Sequence, residues 1–286
     1  MLDWGRLIFT RVFEHSIGRS VGHRDIVAKA GFDLARQPLP SGSTLLIGGI
    51  HGDEAATVVL LESFVQKYLA EGAAGQPAVV IPLANPDSRT RNSRYNARGV
   101  DINRNFGFNW QAESVEPPGP EPWSEPETCA LRDFILGLEP ARIVSLHWAL
   151  AEIDADGQQS TGLAWQMWEA MDENERRPYR VRVREPGHGL RHLRHTYEIC
   201  PGSLGQWCGH GLRYANGVRP AMITLELPYD PDAESRPPQL PPAHLDRLRE
   251  RWTRDAEGYL ETVESGVHKM LCAACVCHGP EAAPVA

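Results

Sequence analysis

A short apolar run that ends in glycines and leads at once into a helical pattern constrains this chain most. Residues 43–49 are predicted to form a buried β-strand, because a run of Leu and Ile bounded by glycines is typical of one. Residues 54–71 then carry apolar side chains at helical spacing. Polar residues at such a turn lie at the carboxyl edge of a sheet, where open α/β folds bind their ligands.

The same alternation continues along the chain and predicts the fold class. Strands are predicted over 43–49, 78–83, 142–146, 179–184 and 221–227, and helices over 54–71, 125–137, 162–173, 203–211 and 243–269. Strands rich in Val, Ile and Leu on both faces need helices on both sides. We therefore expect a three-layer α/β/α sandwich with a mixed, mostly parallel central sheet.

We expect a single domain over residues 1–270, followed by a poorly ordered, cysteine-containing tail over 271–286. Two proline-rich stretches, 116–122 and 236–242, are predicted to be surface loops within that domain. Cys272, Cys275 and Cys277 have ligand-like spacing, but no second cysteine cluster accompanies them. Free thiols in the tail are therefore the favoured interpretation over a structural metal site.

Composition excludes several classes of function. The net charge is −8 and no long basic block is present, so nucleic acid is not an expected partner. No stretch of eighteen apolar residues suggests a membrane-spanning helix. The first eleven residues contain an early acid and too short an apolar run for a signal peptide. We expect a cytoplasmic protein.

The turn after the first predicted strand holds an imidazole and a carboxylate, His51 and Glu54, three residues apart. A catalytic Zn²⁺ takes three such nitrogen and oxygen ligands and leaves one coordination position open. By itself the pair is ambiguous, since carboxylates also stabilise a helix N-terminus through its dipole. His147 ends another predicted strand and would complete a set of two histidines and one glutamate.

Two other segments carry candidate chemistry. Val100, Ile102 and Phe106 would anchor the loop that contains Asp101, Asn103 and Arg104. An arginine beside an asparagine suits a carboxylate, because the guanidinium binds both oxygens and the amide adds a donor. Arg94, ten residues before Arg104, could supply a second cation. The predicted strand 221–227 is apolar except for Thr224 and one carboxylate, Glu226. Buried glutamates are rare unless they are paired or functional.

Taken in this order, these segments resemble the zinc metallocarboxypeptidase family over residues 48–227, and that family's fold is the expected one. The resemblance implies that His51, Glu54 and His147 bind one Zn²⁺ per chain. It also implies that Glu226 is the general base and that Asp101 orients His51.

The resemblance further implies roles in substrate binding. Asn103 and Arg104 would bind the substrate's free carboxylate, and Arg94 would polarise the scissile carbonyl and stabilise its oxyanion. The expected partner is a small peptide, and the expected activity is hydrolysis of a peptide or isopeptide amide next to that carboxylate.

Within the family, the chain is most similar to bacterial murein peptide amidases, which are cytoplasmic and cut γ-D-glutamyl–diaminopimelate bonds during peptidoglycan recycling. The first alternative is an N-acyl amino-acid deacylase that resembles aspartoacylase or succinylglutamate desuccinylase, although Asp53 and Asn105 depart from the pattern of those enzymes. The second is a non-catalytic zinc or peptide-binding module, which would have no use for Glu226.

The chain also departs from the family pattern. Gly209 occupies the place of the tyrosine that covers the substrate in the digestive carboxypeptidases, so that role is vacant or is filled by Tyr197 or Tyr214. Trp148 stands where a smaller residue is expected. The loop with His188, His192 and His195 could meet an acidic peptide or a second metal, but its proline and glycines favour a solvated basic loop.

Overall fold

The computed structural model describes residues 12–36, 42–69, 78–183, 200–228 and 256–276. The strands in these ranges are β1 (Phe13–Arg19), β2 (Asp25–Ala30), β3 (Thr44–Ile47), β4 (Ala78–Ile81), β5 (Arg142–Trp148), β6 (Glu152–Asp156), β7 (Arg180–Arg182) and β8 (Ala221–Leu227). The α-helices are α1 (Ala55–Phe64), α2 (Pro86–Thr90), α3 (Pro126–Leu138), α4 (Thr161–Glu169), α5 (Glu173–Arg176), α6 (Leu204–Gln206) and α7 (Ala256–Cys275). Helices α1 and α6 continue into the π-helical turns Val65–Leu69 and Trp207–Gly211.

The eight strands form one sheet in the order β1-β2-β4-β3-β5-β8-β6-β7. The central strands β4, β3, β5 and β8 run parallel to one another, and β6 and β7 also pair in parallel. The β1–β2, β2–β4 and β6–β8 pairs are antiparallel. The predicted mixed, mostly parallel sheet is therefore confirmed.

Two hydrophobic cores lie on opposite faces of this sheet. Leu46 and Val144 belong to the core that includes side chains of α1, α4 and α7. Leu45, Ile47 and Ile143 belong to the other core, which includes side chains of α3 and α6. Neighbouring residues of one strand point to opposite faces, so each central strand contributes to both cores. Burial of each large apolar side chain stabilises the fold by about 1.5–3 kcal/mol.

Three strands, β1, β2 and β6, were not predicted from the sequence. Strand β1 is mostly exposed at the edge of the sheet, and β6 alternates carboxylates with Ile153 and Ala155. Neither gives the continuous apolar run of a strand that is buried on both faces. Tertiary pairing therefore decided their structure.

Helix α7 extends past the predicted boundary at residue 270 and ends at Cys275. Leu271 and Cys275 are buried in the core that also contains α1 side chains, and Cys272 packs against it. The described residues do not include the start of the predicted 243–269 helix or residues 277–286, which contain Cys277. In the described ranges, no helix is both long and apolar enough to cross a membrane.

The turn after β3 is held by a close backbone approach. A Cβ atom on Gly52 would lie 2.1–2.3 Å from the backbone of Ser88 and Arg89, so only glycine fits. The Gly52 amide also donates to the Ser93 carbonyl at 2.9 Å. These contacts lock the segment that carries His51 and Glu54 against α2 and the loop that follows it.

Candidate active site

His51, Glu54 and His147 converge at the carboxyl edge of the sheet. One Glu54 oxygen lies 2.8 Å from His51 Nδ1, and the other lies 3.3 Å from His147 Nδ1. The ligand atoms of the three residues all lie within 4.8 Å of one another, and all three side chains are buried. Two imidazole nitrogens and one carboxylate are a suitable donor set for a catalytic Zn²⁺.

Each histidine is oriented by a partner on its far ring nitrogen. His51 Nε2 lies 3.1 Å from Asp101 Oδ1, and His147 Nε2 lies 3.0 Å from Ser145 Oγ. These contacts leave both Nδ1 atoms turned toward Glu54. Asp101 was singled out from the sequence, whereas Ser145 was missed. The available signal was its spacing of two residues from His147, which puts both side chains on one face of β5.

Ser145→Ala is expected to weaken zinc binding by about 10-fold, because partners of this kind contribute roughly 10- to 100-fold to metal affinity. The variant removes one hydroxyl and leaves His147 in place. Isothermal titration with zinc checks the effect. Ser43→Ala, which removes another buried hydroxyl outside the site, is the control. Equal zinc affinity in the two variants would show that Ser145 does not orient the ligand.

The electrostatics of the cluster favour a bound cation. Burial lowers the pKa of His51, but the nearby carboxylates of Glu54 and Asp101 outweigh burial and raise that pKa to about 9. Burial alone would raise the pKa of Glu54 and of Asp101, yet His51 holds both well below their usual range. Both carboxylates are therefore held in the ionised state that a metal site requires, whereas His51 must release its proton when a metal binds.

Arg94 lies beside this cluster on its cavity side. Its Nε donates to Asp101 Oδ2 at 2.8 Å, and its Nη1 lies 3.3 Å from His51 Nδ1 and 3.9 Å from Glu54 Oε1. Burial lowers the pKa of Arg94, but the neighbouring carboxylates raise it by more than burial lowers it. The guanidinium therefore stays charged. A fixed cation is thus available close to the three converging ligand atoms.

Asn103 and Arg104 lie in the 3₁₀ turn Ile102–Arg104 that Asp101 caps. The Asn103 amide oxygen accepts from the Leu204 backbone amide at 3.0 Å, so its NH₂ group is available as a donor. Arg104 Nη1 donates to the Asn103 carbonyl oxygen at 2.8 Å. Both side chains line the same cavity as Arg94.

Glu226 lies on β8 directly across from His147 on β5, in register. Its Oε2 atom is buried and has no hydrogen-bond partner within the described part of the chain. Burial, together with the charges of Glu54 and Glu152, raises the pKa of Glu226 to about 8. Such a carboxyl group holds or releases a proton near neutral pH, which suits an acid–base role.

A cavity of about 350 Å³ brings these groups together. Of the predicted site residues, all except the fully buried Asp101 line it: His51, Glu54, Arg94, Asn103, Arg104, His147 and Glu226. A second wall of the cavity, where Glu152, Asp154 and Asp156 share one face of β6, was not predicted from the sequence. The two-residue spacing of these acids was the signal, but it becomes informative only once β6 is known to be a strand.

The structure also bears on the departures from the family pattern. Tyr214 is buried and its hydroxyl donates to the Pro140 carbonyl at 2.9 Å, so it does not cover the cavity. A Cβ atom on Gly209 would lie 2.1 Å from the Asp156 carbonyl oxygen, so that position packs against β6. Trp148 lines the cavity, and its backbone amide donates to Glu54 at 3.2 Å. Tyr197, His188, His192 and His195 lie outside the described residues.

A buried cluster of two histidines and one glutamate, with an arginine and a second glutamate beside it, is typical of metal-dependent hydrolases. A profile of the family described as zinc carboxypeptidase matches residues 9–150. Murein peptide amidase A of Escherichia coli (strain K12) is 32% identical over 196 residues, which cover 62% of this chain and 72% of that protein. The protein of the same name from Vibrio campbellii is 30% identical over 64% of this chain and 68% of its own length. The chain belongs to the zinc carboxypeptidase family.

Solved structures agree with this assignment. The murein-tripeptide amidase of Escherichia coli O157 matches with a TM-score of 0.54 at 25% identity, covering 83% of this chain and 90% of that chain. Bovine thrombin-activatable fibrinolysis inhibitor matches with a TM-score of 0.65 at 18% identity, covering 92% of this chain and 89% of that chain. The second likeness concerns the fold alone.

Proposed function

We propose that this chain is a zinc-dependent amidase that hydrolyses an amide next to a free carboxylate. The favoured substrate is a murein peptide with a γ-D-glutamyl–diaminopimelate bond. One observation carries the proposal: Glu226 and Arg94 line one cavity together with His51, Glu54 and His147. A site built only to hold a metal has no need of a further carboxyl group whose pKa is raised toward neutral pH by burial and by neighbouring carboxylates.

The mechanism divides the chemistry among these side chains. His51, Glu54 and His147 would hold one Zn²⁺ per chain, which would supply Lewis-acid activation of a water and of the scissile carbonyl. Glu226 takes a proton from the attacking water as the water oxygen bonds to the carbonyl carbon, and it passes that proton to the amine nitrogen as the C–N bond breaks. Arg94 donates hydrogen bonds to the carbonyl oxygen as negative charge develops on it.

Asn103 and Arg104 hold the substrate by its free carboxylate. The guanidinium fork of Arg104 can bind both oxygens, and the NH₂ group of Asn103 adds a neutral donor. The 3₁₀ turn and the Leu204 amide fix this pair in position. The scissile carbonyl is thereby held against Glu226 and Arg94, which replaces a bimolecular encounter with a positioned one.

The Asp156 carboxylate supports a leaving residue that carries an amino group, as diaminopimelate does. Asp156 lines the cavity and accepts a hydrogen bond from Thr224 at 2.6 Å. Gly205, which directly follows the α6 residue that holds Asn103, also lines the cavity and lies beside Asp156. A residue whose carboxylate is bound at Asn103 can therefore extend its side chain toward Asp156.

Asp156→Asn is expected to raise KM by about 10- to 100-fold for a substrate whose leaving residue carries a side-chain amino group, since a charged hydrogen bond contributes roughly 1.5–3 kcal/mol. Asparagine keeps an oxygen to accept from Thr224, so the packing is preserved. Steady-state kinetics on paired tripeptides that end in diaminopimelate or alanine check the effect. An equal change for both peptides would contradict amino-group recognition at Asp156.

The overall proposal is tested by measuring hydrolysis of three substrates: L-alanyl-γ-D-glutamyl-diaminopimelate, N-acetylaspartate and N-succinylglutamate. We expect turnover of the tripeptide only, lost with a chelator and restored by zinc. Preferred cleavage of either acyl amino acid would favour the deacylase alternative. Zinc binding without hydrolysis of any amide would favour a binding module. A cytoplasmic location stays a prediction from the sequence.

A further inference from the structure

The proline-rich segment 116–122 packs against the loop that carries Asp101, Asn103 and Arg104, and its first residue, Glu116, lines the cavity. The Pro117 carbonyl accepts from the Asp101 backbone amide at 2.9 Å. The side-chain NH₂ group of Asn105 donates to the backbone carbonyls of Pro118 and Glu121 at 2.8 and 2.9 Å. Proline restricts the backbone to a narrow range of φ, so these bonds hold a stiff segment against the loop that carries the site residues.

This segment places the Glu116 carboxylate at the edge of the cavity. Glu116 Oε2 accepts a hydrogen bond from the Tyr95 hydroxyl at 2.7 Å, which raises the pKa of Tyr95 above its usual value. Glu116 Oε1 lies 3.9 Å from Arg94 Nε. Because Tyr95 directly follows Arg94, Glu116 contacts two consecutive side chains of the same loop.

Three carboxylates surround Arg94, and they differ in their other contacts. Glu54 belongs to the histidine cluster, and Asp101 also engages His51. Glu116 has contacts with Arg94 and Tyr95 but with neither histidine. Of the three, Glu116 is therefore the one whose removal disturbs Arg94 without directly changing the donor set for the metal.

We propose that Glu116 is a positioning residue for Arg94. Carboxylate oxygens of Asp101 and Glu116 both lie near Nε of Arg94. These two contacts fix the direction in which the Nη groups donate hydrogen bonds into the cavity. Oxyanion stabilisation depends on donors that are already oriented before the charge develops, whereas a long arginine side chain is intrinsically flexible. This inference rests on the proposed role of Arg94 in amide hydrolysis.

The first test compares Glu116→Gln with Glu121→Gln, an exposed glutamate in the same segment. Glutamine keeps an acceptor for the Tyr95 hydroxyl and removes only the charge that faces Arg94. We expect kcat on the tripeptide to fall about 5-fold in Glu116→Gln with KM unchanged within twofold, because the contact acts on the transition state. Glu121→Gln should behave as the wild type, and Glu116→Asp should recover part of the lost activity.

A double-mutant comparison separates positioning from a direct role. Glu116→Gln should have no further effect on kcat when Arg94 is already replaced by alanine, because the coupling passes through Arg94. A 5-fold loss that persists in the Arg94→Ala background would overturn the proposal. Losses of equal size in Glu116→Gln and Glu121→Gln would do the same.

A readout that does not depend on activity distinguishes failure of this inference from failure of the proposed function. The Nε–H resonance of Arg94, assigned by its loss in Arg94→Ala, reports how tightly the guanidinium is held. We expect its exchange with solvent to be at least about 3-fold faster in Glu116→Gln than in Glu121→Gln. An unchanged rate would refute positioning by Glu116, whatever substrate the protein hydrolyses.

Discussion

Replacing Glu226 with glutamine is expected to reduce kcat on the tripeptide by roughly 100- to 10,000-fold, which is the range that a positioned acid–base group contributes. Glutamine has the same shape but can neither accept the proton of the attacking water nor deliver one to the departing amine. The loss should therefore appear in kcat and in kcat/KM alike. Steady-state rates measured on the zinc-loaded variant check this result.

Zinc affinity should stay within about twofold of the wild type in Glu226→Gln, because Glu226 is not one of the three residues whose ligand atoms converge. Isothermal titration with zinc measures this property separately from turnover. Glu62→Gln, a partly exposed glutamate on α1 that pairs with Lys29, is the matched control and should keep full activity. Retained hydrolysis in Glu226→Gln would disprove its role as the base.

Glu54→Gln is expected to weaken zinc binding by more than about 100-fold, beyond the range attributed to residues that only support a ligand. The substitution removes the carboxylate charge that balances the metal, while its amide oxygen can still accept from the Trp148 backbone amide. Activity should disappear at zinc concentrations that saturate the wild type. It should return in part at higher zinc, since Glu226 and Arg94 are unchanged.

Titration with zinc and a competing chelator checks this prediction, again with Glu62→Gln as the control. The thermal unfolding midpoint should rise with added zinc in the wild type and much less in Glu54→Gln, because a ligand stabilises only the state that binds it. Equal zinc affinity in Glu54→Gln and Glu62→Gln would show that Glu54 is not a metal ligand.

The central part of the fold could be predicted because its signals are local. Strands β3, β4 and β8 lie wholly within the predicted segments 43–49, 78–83 and 221–227, and most of β5 lies within 142–146. Each is a compact apolar run, and such runs remain recognisable whatever they pack against. By contrast, β6 carries three carboxylates on one face, and they are tolerated because that face lines a polar cavity and because Arg180 and Arg182 pair with Glu152. No local sequence pattern predicts that this face of β6 lines a cavity.

Within the candidate site, proximity inside one turn was predictable from the sequence, but contacts between distant segments were not. His51 and Glu54 share one turn, so their proximity follows from the sequence alone. Ser145, Glu116 and Asp156 were overlooked because serine and acidic residues are common on surfaces. The roles proposed for them depend on contacts with His147, with Arg94 and with the cavity, and only the folded structure brings these groups together.

The sequence by itself determined the strand–turn–helix segments and the chemical groups at their ends, because backbone preferences and short-range spacing act over a few residues. The tertiary structure alone decided that His147 and Glu226 stand in register on adjacent strands, and that a proline-rich segment reaches Arg94. Strand order and loop docking depend on contacts between segments far apart in the chain. Those contacts are selected by the packing of the whole molecule, so no single segment encodes them.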